Sequence, residues 1–171
     1  MAKVLMVVAQ HGFRDEEYLV TREVLATENH SVKVASLTRG KAKGMLGAEV
    51  VPDMAAHEAN PDFFDAVVII GGQGAMKLAE SPDVIRLVQG AFAKGKVLAA
   101  ICIGPITLAK AGVLSGKRAT VFRSPEDIRA LKEGGALYTG EDVAVDEKLV
   151  TACGPHAAGD FGRKLCEMLK E

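Results

Sequence analysis

A mainly parallel α/β sheet with helices on both faces is what the sequence predicts, and three observations predict it. Short, wholly apolar runs such as Ala66–Ile70 and Val97–Ile101 alternate along the chain with longer amphipathic runs. Those short runs lack the in–out alternation of a half-exposed strand, so they read as strands buried on both faces. Two of them end in strand-to-helix turns, Gly71-Gly72-Gln73-Gly74 and Cys102-Ile103-Gly104-Pro105, as the connections of a doubly wound sheet do.

The elements follow in order. Lys3–Ala9 is a strand, and Glu16–Glu28 a helix with Leu19, Val20, Val24 and Leu25 expected on its buried face. Ser31–Ser36 is a second strand. Gly44, Gly47 and the alternation Glu49-Val50-Val51 predict a small hairpin. Ala66–Ile70 is the third strand, and Pro82–Ala93 a helix with Ser81 as N-cap before proline at the first helical position. Val97–Ile101 is the fourth strand, leading into a helix from Gly104. Arg118–Phe122 reads as a short strand, and Ser124-Pro125-Glu126-Asp127 opens a helix to about Glu133. Val143–Val145 and Lys148–Ala152 form a hairpin around Asp146-Glu147, and a helix from about Ala157 to Lys170 closes the chain. With no repeat and no linker, residues 1–171 read as a single doubly wound, flavodoxin-like domain.

Composition narrows the function. The length of 171 residues, 49% hydrophobic and 25% charged, is that of an ordinary globular chain. A net charge of −1 without a run of like charges gives nucleic acid no footprint. No apolar stretch approaches a membrane span, and no signal-peptide pattern precedes Val4. The cysteines number 3, Cys102, Cys153 and Cys166, an odd count at unrelated spacings that points to reduced thiols in the cytoplasm. No CxxC spacing marks a metal, and no cofactor motif is present.

Open α/β sheets place their sites at the carboxyl ends of the strands. Four segments meet there: Ala9–Glu17, Gly71–Ala75, Cys102–Gly104 and Ala152–His156. Cys102 sits on the sharp strand-to-helix turn of a nucleophile elbow, near a helix N-terminus that favours thiolate. The same pattern also fits a buried structural cysteine. Gly72 and Ile103 would offer N–H groups as an oxyanion hole. A dinucleotide loop is rejected there, because the GxGxxG spacing and a ribose-binding acid are missing; Gly74 also fits a plain tight turn. Asp15 and Glu16 read as solvated acids favourable to the helix dipole. Glu17, expected to turn inward under the elbow, would have a raised pKa and, protonated, would donate a hydrogen bond to Cys102 thiolate. His156 is a candidate base for Cys102 and His11 a weaker one, although loop histidines are commonly just solvated. His30 and His57 read as surface positions. Cys153 is either a disulfide partner for Cys102 under oxidation or, preferably, a second buried thiol. Cys166 belongs to the core.

Together the segments Phe13–Glu17, Phe64–Gly72, Ala99–Pro105, Ala111–Leu114 and Leu149–Pro155 resemble the ThiJ/PfpI family, a branch of the class I glutamine amidotransferase-like superfamily that includes the parkinsonism-associated deglycase and chaperone. The resemblance spans about Lys3 to Leu169. It implies that Cys102 is the reactive cysteine, Glu17 its acid partner, and Gly72 and Ile103 the oxyanion donors. Two positions depart from the peptidase branch. Ile103 stands where those peptidases carry histidine, and Met76 where they donate a glutamate across the subunit interface. Phe122 or Arg123 occupies the position of a further histidine found in the glyoxalase-type branch.

The expectation is a cofactor-free, metal-free, cysteine-dependent enzyme acting on α-oxoaldehydes such as methylglyoxal or on their protein adducts. The alternatives are an oxidative-stress sensor or chaperone working through Cys102 sulfinate, and a peptidase or amidase, which Ile103 and Met76 disfavour. The resemblance also implies a homodimer or larger homo-oligomer, with neither nucleic acid nor membrane as partner.

Overall fold

Strands with no polar residue need cover on both faces, and the fold supplies it. The computed structural model describes residues 1–170. Its strands are β1 (Lys3–Val7), β2 (His11–Phe13), β3 (Ser31–Ser36), β4 (Ala42–Gly44), β5 (Glu49–Val50), β6 (Met54–Ala55), β7 (Ala66–Ile69), β8 (Val97–Ile101), β9 (Arg118–Ala119), β10 (Leu137–Tyr138), β11 (Val143–Asp146) and β12 (Leu149–Ala152). The helices are α1 (Asp15–Thr27), α2 (Met76–Ala79), α3 (Pro82–Ala93), α4 (Gly104–Lys110), α5 (Pro125–Glu133) and α6 (Ala158–Leu169).

The main sheet has 7 strands in the order β11-β12-β8-β7-β1-β3-β6. All neighbouring pairs are parallel except β11 with β12 at one edge. Alternate residues of each central strand feed two cores. Leu5, Val7, Val67, Ile69, Leu98 and Ala100 pack under α2–α5. Val4, Met6, Val68, Ile70, Ala99 and Ile101 pack under α1 and α6. The Ser81 hydroxyl caps α3 by accepting the Val84 N–H, and Ser124 caps α5 through Asp127 N–H.

Several expectations are corrected. In α1 the buried residues are Asp15, Glu17, Tyr18, Thr21 and Leu25, whereas Leu19 and Val20 are 51% and 36% exposed. Leu25 is buried and Val24 packs against the core as expected, but Glu17 and Thr21 take the inner positions expected for Leu19 and Val20. The strand expected over Arg118–Phe122 stops at Ala119. Beyond it, the Thr120 N–H goes to Thr151 Oγ1 and the Phe122 N–H to the Cys102 carbonyl. Asp15 is not solvated: its carboxylate accepts the Leu46 and Ala48 N–H groups at 2.8 and 2.7 Å. Those bonds hold the β4–β5 hairpin turn against the start of α1. His30 is half-buried, with Nδ1 accepting the Ala2 N–H at 3.0 Å.

Candidate active site

The four carboxyl-edge segments are joined by backbone and side-chain hydrogen bonds. β8 ends at Cys102, which takes φ +65°, a left-handed conformation that a side-chain-bearing residue adopts at a cost of about 1–2 kcal/mol. The conformation is held from both sides. Cys102 N–H donates to the Ala152 carbonyl at 2.8 Å, and its own carbonyl accepts the Phe122 N–H at 2.8 Å. The result is a thiol on a strained turn between a buried strand and a helix. The backbone N–H groups of Gly72 and Ile103 lower the pKa of its thiol, against the effect of burial.

Glu17, on the first turn of α1, is fully buried. Its Oε1 accepts the Gly71 N–H at 3.0 Å, tying α1 to the end of β7, and the Arg14 N–H returns a bond to the Gly71 carbonyl at 2.9 Å. Among the described residues Oε2 is buried with no hydrogen-bond partner, and the Cys102 thiol is the side chain that acts most on the carboxyl. Glycine is required at both positions between them. A Cβ on Gly71 would lie 2.6 Å from Cys102 Cβ and 2.7 Å from Glu17 Oε1. Gly72 has φ +113°, and a Cβ there would meet the Gly12 carbonyl at 2.4 Å.

Burial sets the protonation of this pair. It raises the Glu17 carboxyl from 4.5 to about 7, against lowering by Cys102, the Gly71 N–H and Arg14. The Cys102 thiol is pushed up to about 12, first by burial and next by the Glu17 charge, with the Gly72 N–H lowering it. The expectation of a thiolate favoured by the helix terminus is therefore reversed in the resting state. A cysteine that is 7% exposed beside a carboxylate loses more by desolvation than one short helix returns. Between these two values the pair carries one proton, and it resides on sulfur.

His156 lies elsewhere on the same edge. Its Nε2 faces Cys153 Sγ at 3.7 Å and Asp142 Oδ1 at 3.5 Å rather than Cys102. Arg123, at the position where the glyoxalase-type histidine was sought, is 2.5 Å from Asp142 Oδ1. Met76 packs against the α2–α5 core, and Ile103 is half-buried against both cores, so neither brings a polar side chain to the thiol. His11 is exposed on β2. The cysteines are all free; Cys166 is on the buried face of α6, and Cys153 is buried with polar neighbours.

Asp142 is the residue that sequence reasoning missed. It stands 11 residues before Cys153 in no recognisable motif, and only the pairing of β11 with β12 brings the two together. The Cys153-x-x-His156 spacing was the one local signal available.

Residues 2–168 match the DJ-1/PfpI family. The chain belongs to that family. A ThiJ/PfpI domain protein of Brachyspira murdochii superposes on it with a TM-score of 0.94 at 29% identity, covering 98% of this chain and 96% of that one. A glutathione-independent glyoxalase of Caenorhabditis elegans is 31% identical over 97% of this chain and 88% of its own. A deglycase of Pyrococcus abyssi is 32% identical over 97% of this chain and 99% of its own. No helix among the described residues is long and apolar enough to cross a membrane.

Proposed function

We propose that this DJ-1/PfpI protein is an enzyme of the deglycase and glyoxalase type, converting 2-oxoaldehydes, free or as protein adducts, into 2-hydroxy acids through Cys102 and Glu17. The observation that carries this reading is the unpartnered Oε2 of a fully buried Glu17 beside a thiol held on a strained elbow. Relatives named deglycase and glyoxalase support the reaction class.

The steps follow from where the proton rests. As Cys102 sulfur adds to the aldehyde carbon, Glu17 carboxylate takes the thiol proton, and an acid poised near 7 is matched to that task. The Gly72 and Ile103 N–H groups, which already act on the thiol, meet the alkoxide that forms one bond beyond the sulfur. Glu17 returns its proton to the alkoxide, giving a hemithioacetal. The carboxylate then removes the former aldehydic C–H proton, giving an enediolate with its charge on the former ketone oxygen; the hemithioacetal hydroxyl proton passes to that oxygen, and Glu17 delivers its own proton to the carbon that bears it as the oxygen on the sulfur-bearing carbon becomes a carbonyl. The product is a thioester of the 2-hydroxy acid, and water cleaves it to release the acid and restore the thiol. With a protein adduct, the bound amine or thiol leaves as the sulfur takes its place.

Protein groups carry every step, in a chain whose reduced thiols suit the cytoplasm. A homo-oligomer is part of this reading, with the exposed Leu19 and Val20 on α1 as the apolar surface it would cover. His156 has no part in it. The sensor reading loses support, because a buried thiol with a raised pKa is a poor target for peroxide. The test is lactate release from methylglyoxal by the purified protein beside Cys102→Ala and Glu17→Gln. Turnover in the wild type and its loss in both variants is expected; equal turnover in Cys102→Ala would overturn the proposal.

A further inference from the structure

Three donor atoms converge at the open end of the β11–β12 hairpin. Asp142 precedes β11 and Cys153 follows β12, the Cys153 N–H bonding the Asp142 carbonyl at 3.0 Å. His156 follows in the turn that leads into α6. Cys153 Sγ, Asp142 Oδ1 and His156 Nε2 form a triangle with edges of 3.6, 3.7 and 3.5 Å.

Of the three edges, the nitrogen–oxygen one at 3.5 Å is long for a hydrogen bond, which falls at 2.7–3.2 Å, while the two that end on sulfur are within reach of a thiol hydrogen bond. All three suit a shared cation. Zinc bonds of about 2.3 Å to sulfur, 2.0–2.1 Å to imidazole and 2.0–2.2 Å to carboxylate, at tetrahedral angles, place the ligand atoms about 3.3–3.6 Å apart. The observed triangle is one face of that tetrahedron, within 0.2 Å or so.

The same geometry argues against a second Cys–His–Asp catalytic triad. A triad uses one imidazole nitrogen for the nucleophile and the other for the acid. Here Nε2 faces both the sulfur and the carboxylate, as a ligand atom must when all three share one ion. Burial adds direction: Cys153 is 3% exposed, whereas the Asp142 and His156 side chains are 55% and 61% exposed. The sulfur forms the floor and solvent has access from the other side, which leaves an entry path and a fourth position for water.

We infer that Asp142, Cys153 and His156 bind a divalent cation of the zinc class, at a site distinct from the Cys102–Glu17 pair. Binding releases the Cys153 thiol proton to solvent as the metal–sulfur bond forms. The ion clips the hairpin's open end to the start of α6. That end also carries Ala152, whose carbonyl holds the Cys102 N–H, so the clip lies one residue from the elbow's support. Arg123 is the competitor: its guanidinium occupies Asp142 Oδ1 at 2.5 Å and must yield or turn the carboxylate.

The experiment titrates the full-length, metal-stripped protein with Co2+, followed by displacement with Zn2+. One equivalent with a sulfur-to-cobalt charge-transfer band is expected, in the wild type and equally in Cys102→Ser. The band should vanish in Cys153→Ser. Affinity should fall at least about tenfold in His156→Ala, whose exposed side chain can be removed without threat to the fold, and in Asp142→Asn. Arg123→Ala should bind more tightly. A wild type without the charge-transfer band, a band that survives Cys153→Ser, or one that disappears in Cys102→Ser would each overturn the site.

Discussion

The carboxyl edge of this sheet holds two corners built from the same parts, a cysteine and an acid, that behave in opposite ways. At Cys102 the acid is fully buried, one carboxyl oxygen has no partner, and glycines bring backbone N–H groups up to the sulfur. At Cys153 the acid is exposed and its pKa is lowered by Arg123 and then by His156. Desolvation governs the first corner and ion pairing the second. A thiol and a carboxyl do not define a chemistry; water access decides whether the acid is a base near neutral pH or a permanently charged partner.

The largest expected effect breaks the comparison at its chemical end. Cys102→Ala should abolish turnover of methylglyoxal, while His156→Ala should lower it far less than Glu17→Gln does. A loss in His156→Ala equal to that in Glu17→Gln would join the two corners into one site. Glu17→Gln should cost about 10²–10⁴-fold in kcat, the usual worth of a positioned acid–base group. In the wild type, kcat/KM should rise with pH through a single ionisation at about 7, as Glu17 becomes able to accept the thiol proton. A profile flat from pH 5 to 9 would remove Glu17 from that role.

The next effect concerns stability. The folded chain holds the Glu17 proton more tightly than the unfolded chain, where the carboxyl titrates near its ordinary 4.5. Unfolding therefore releases a proton between 4.5 and about 7, and stability falls as pH rises through that window. The span corresponds to on the order of 3 kcal/mol. Urea unfolding at pH 5 and pH 8 should show the loss in the wild type and much less of it in Glu17→Gln, which should be the more stable protein at pH 8. An identical decline in both would place the titrating group elsewhere.

What was legible in the sequence follows the same division. The elbow, Glu17 and the Gly71-Gly72 turn were readable because backbone strain, strand burial and close approach demand particular residues in consecutive positions. Individual contacts that depend on the exact register or fold-back of distant segments were not. Asp15 became a buried brace only because residues 46 and 48 fold back over α1. Asp142 met Cys153 only through the register of β11 on β12. Local hydrophobicity even misled at Leu19 and Val20, which face outward while the charged Glu17 faces in. The short strands β2 and β6 carry too few residues to show a period at all.

The smallest effects separate the corners by packing. Gly71→Ala forces a methyl to within 2.6 Å of Cys102 Cβ and the Ile101 carbonyl, in a core with no slack. A cost of about 1–3 kcal/mol follows, together with a drop in turnover as the thiol and acid are pushed apart. Arg123→Ala removes an ion pair whose side chains are 49% and 55% exposed. Water replaces the lost partner on both sides, so the urea midpoint should hardly move. If Arg123→Ala proved as damaging as Gly71→Ala, the second corner would be a structural brace rather than a solvated one, and burial would no longer explain why the two thiols differ.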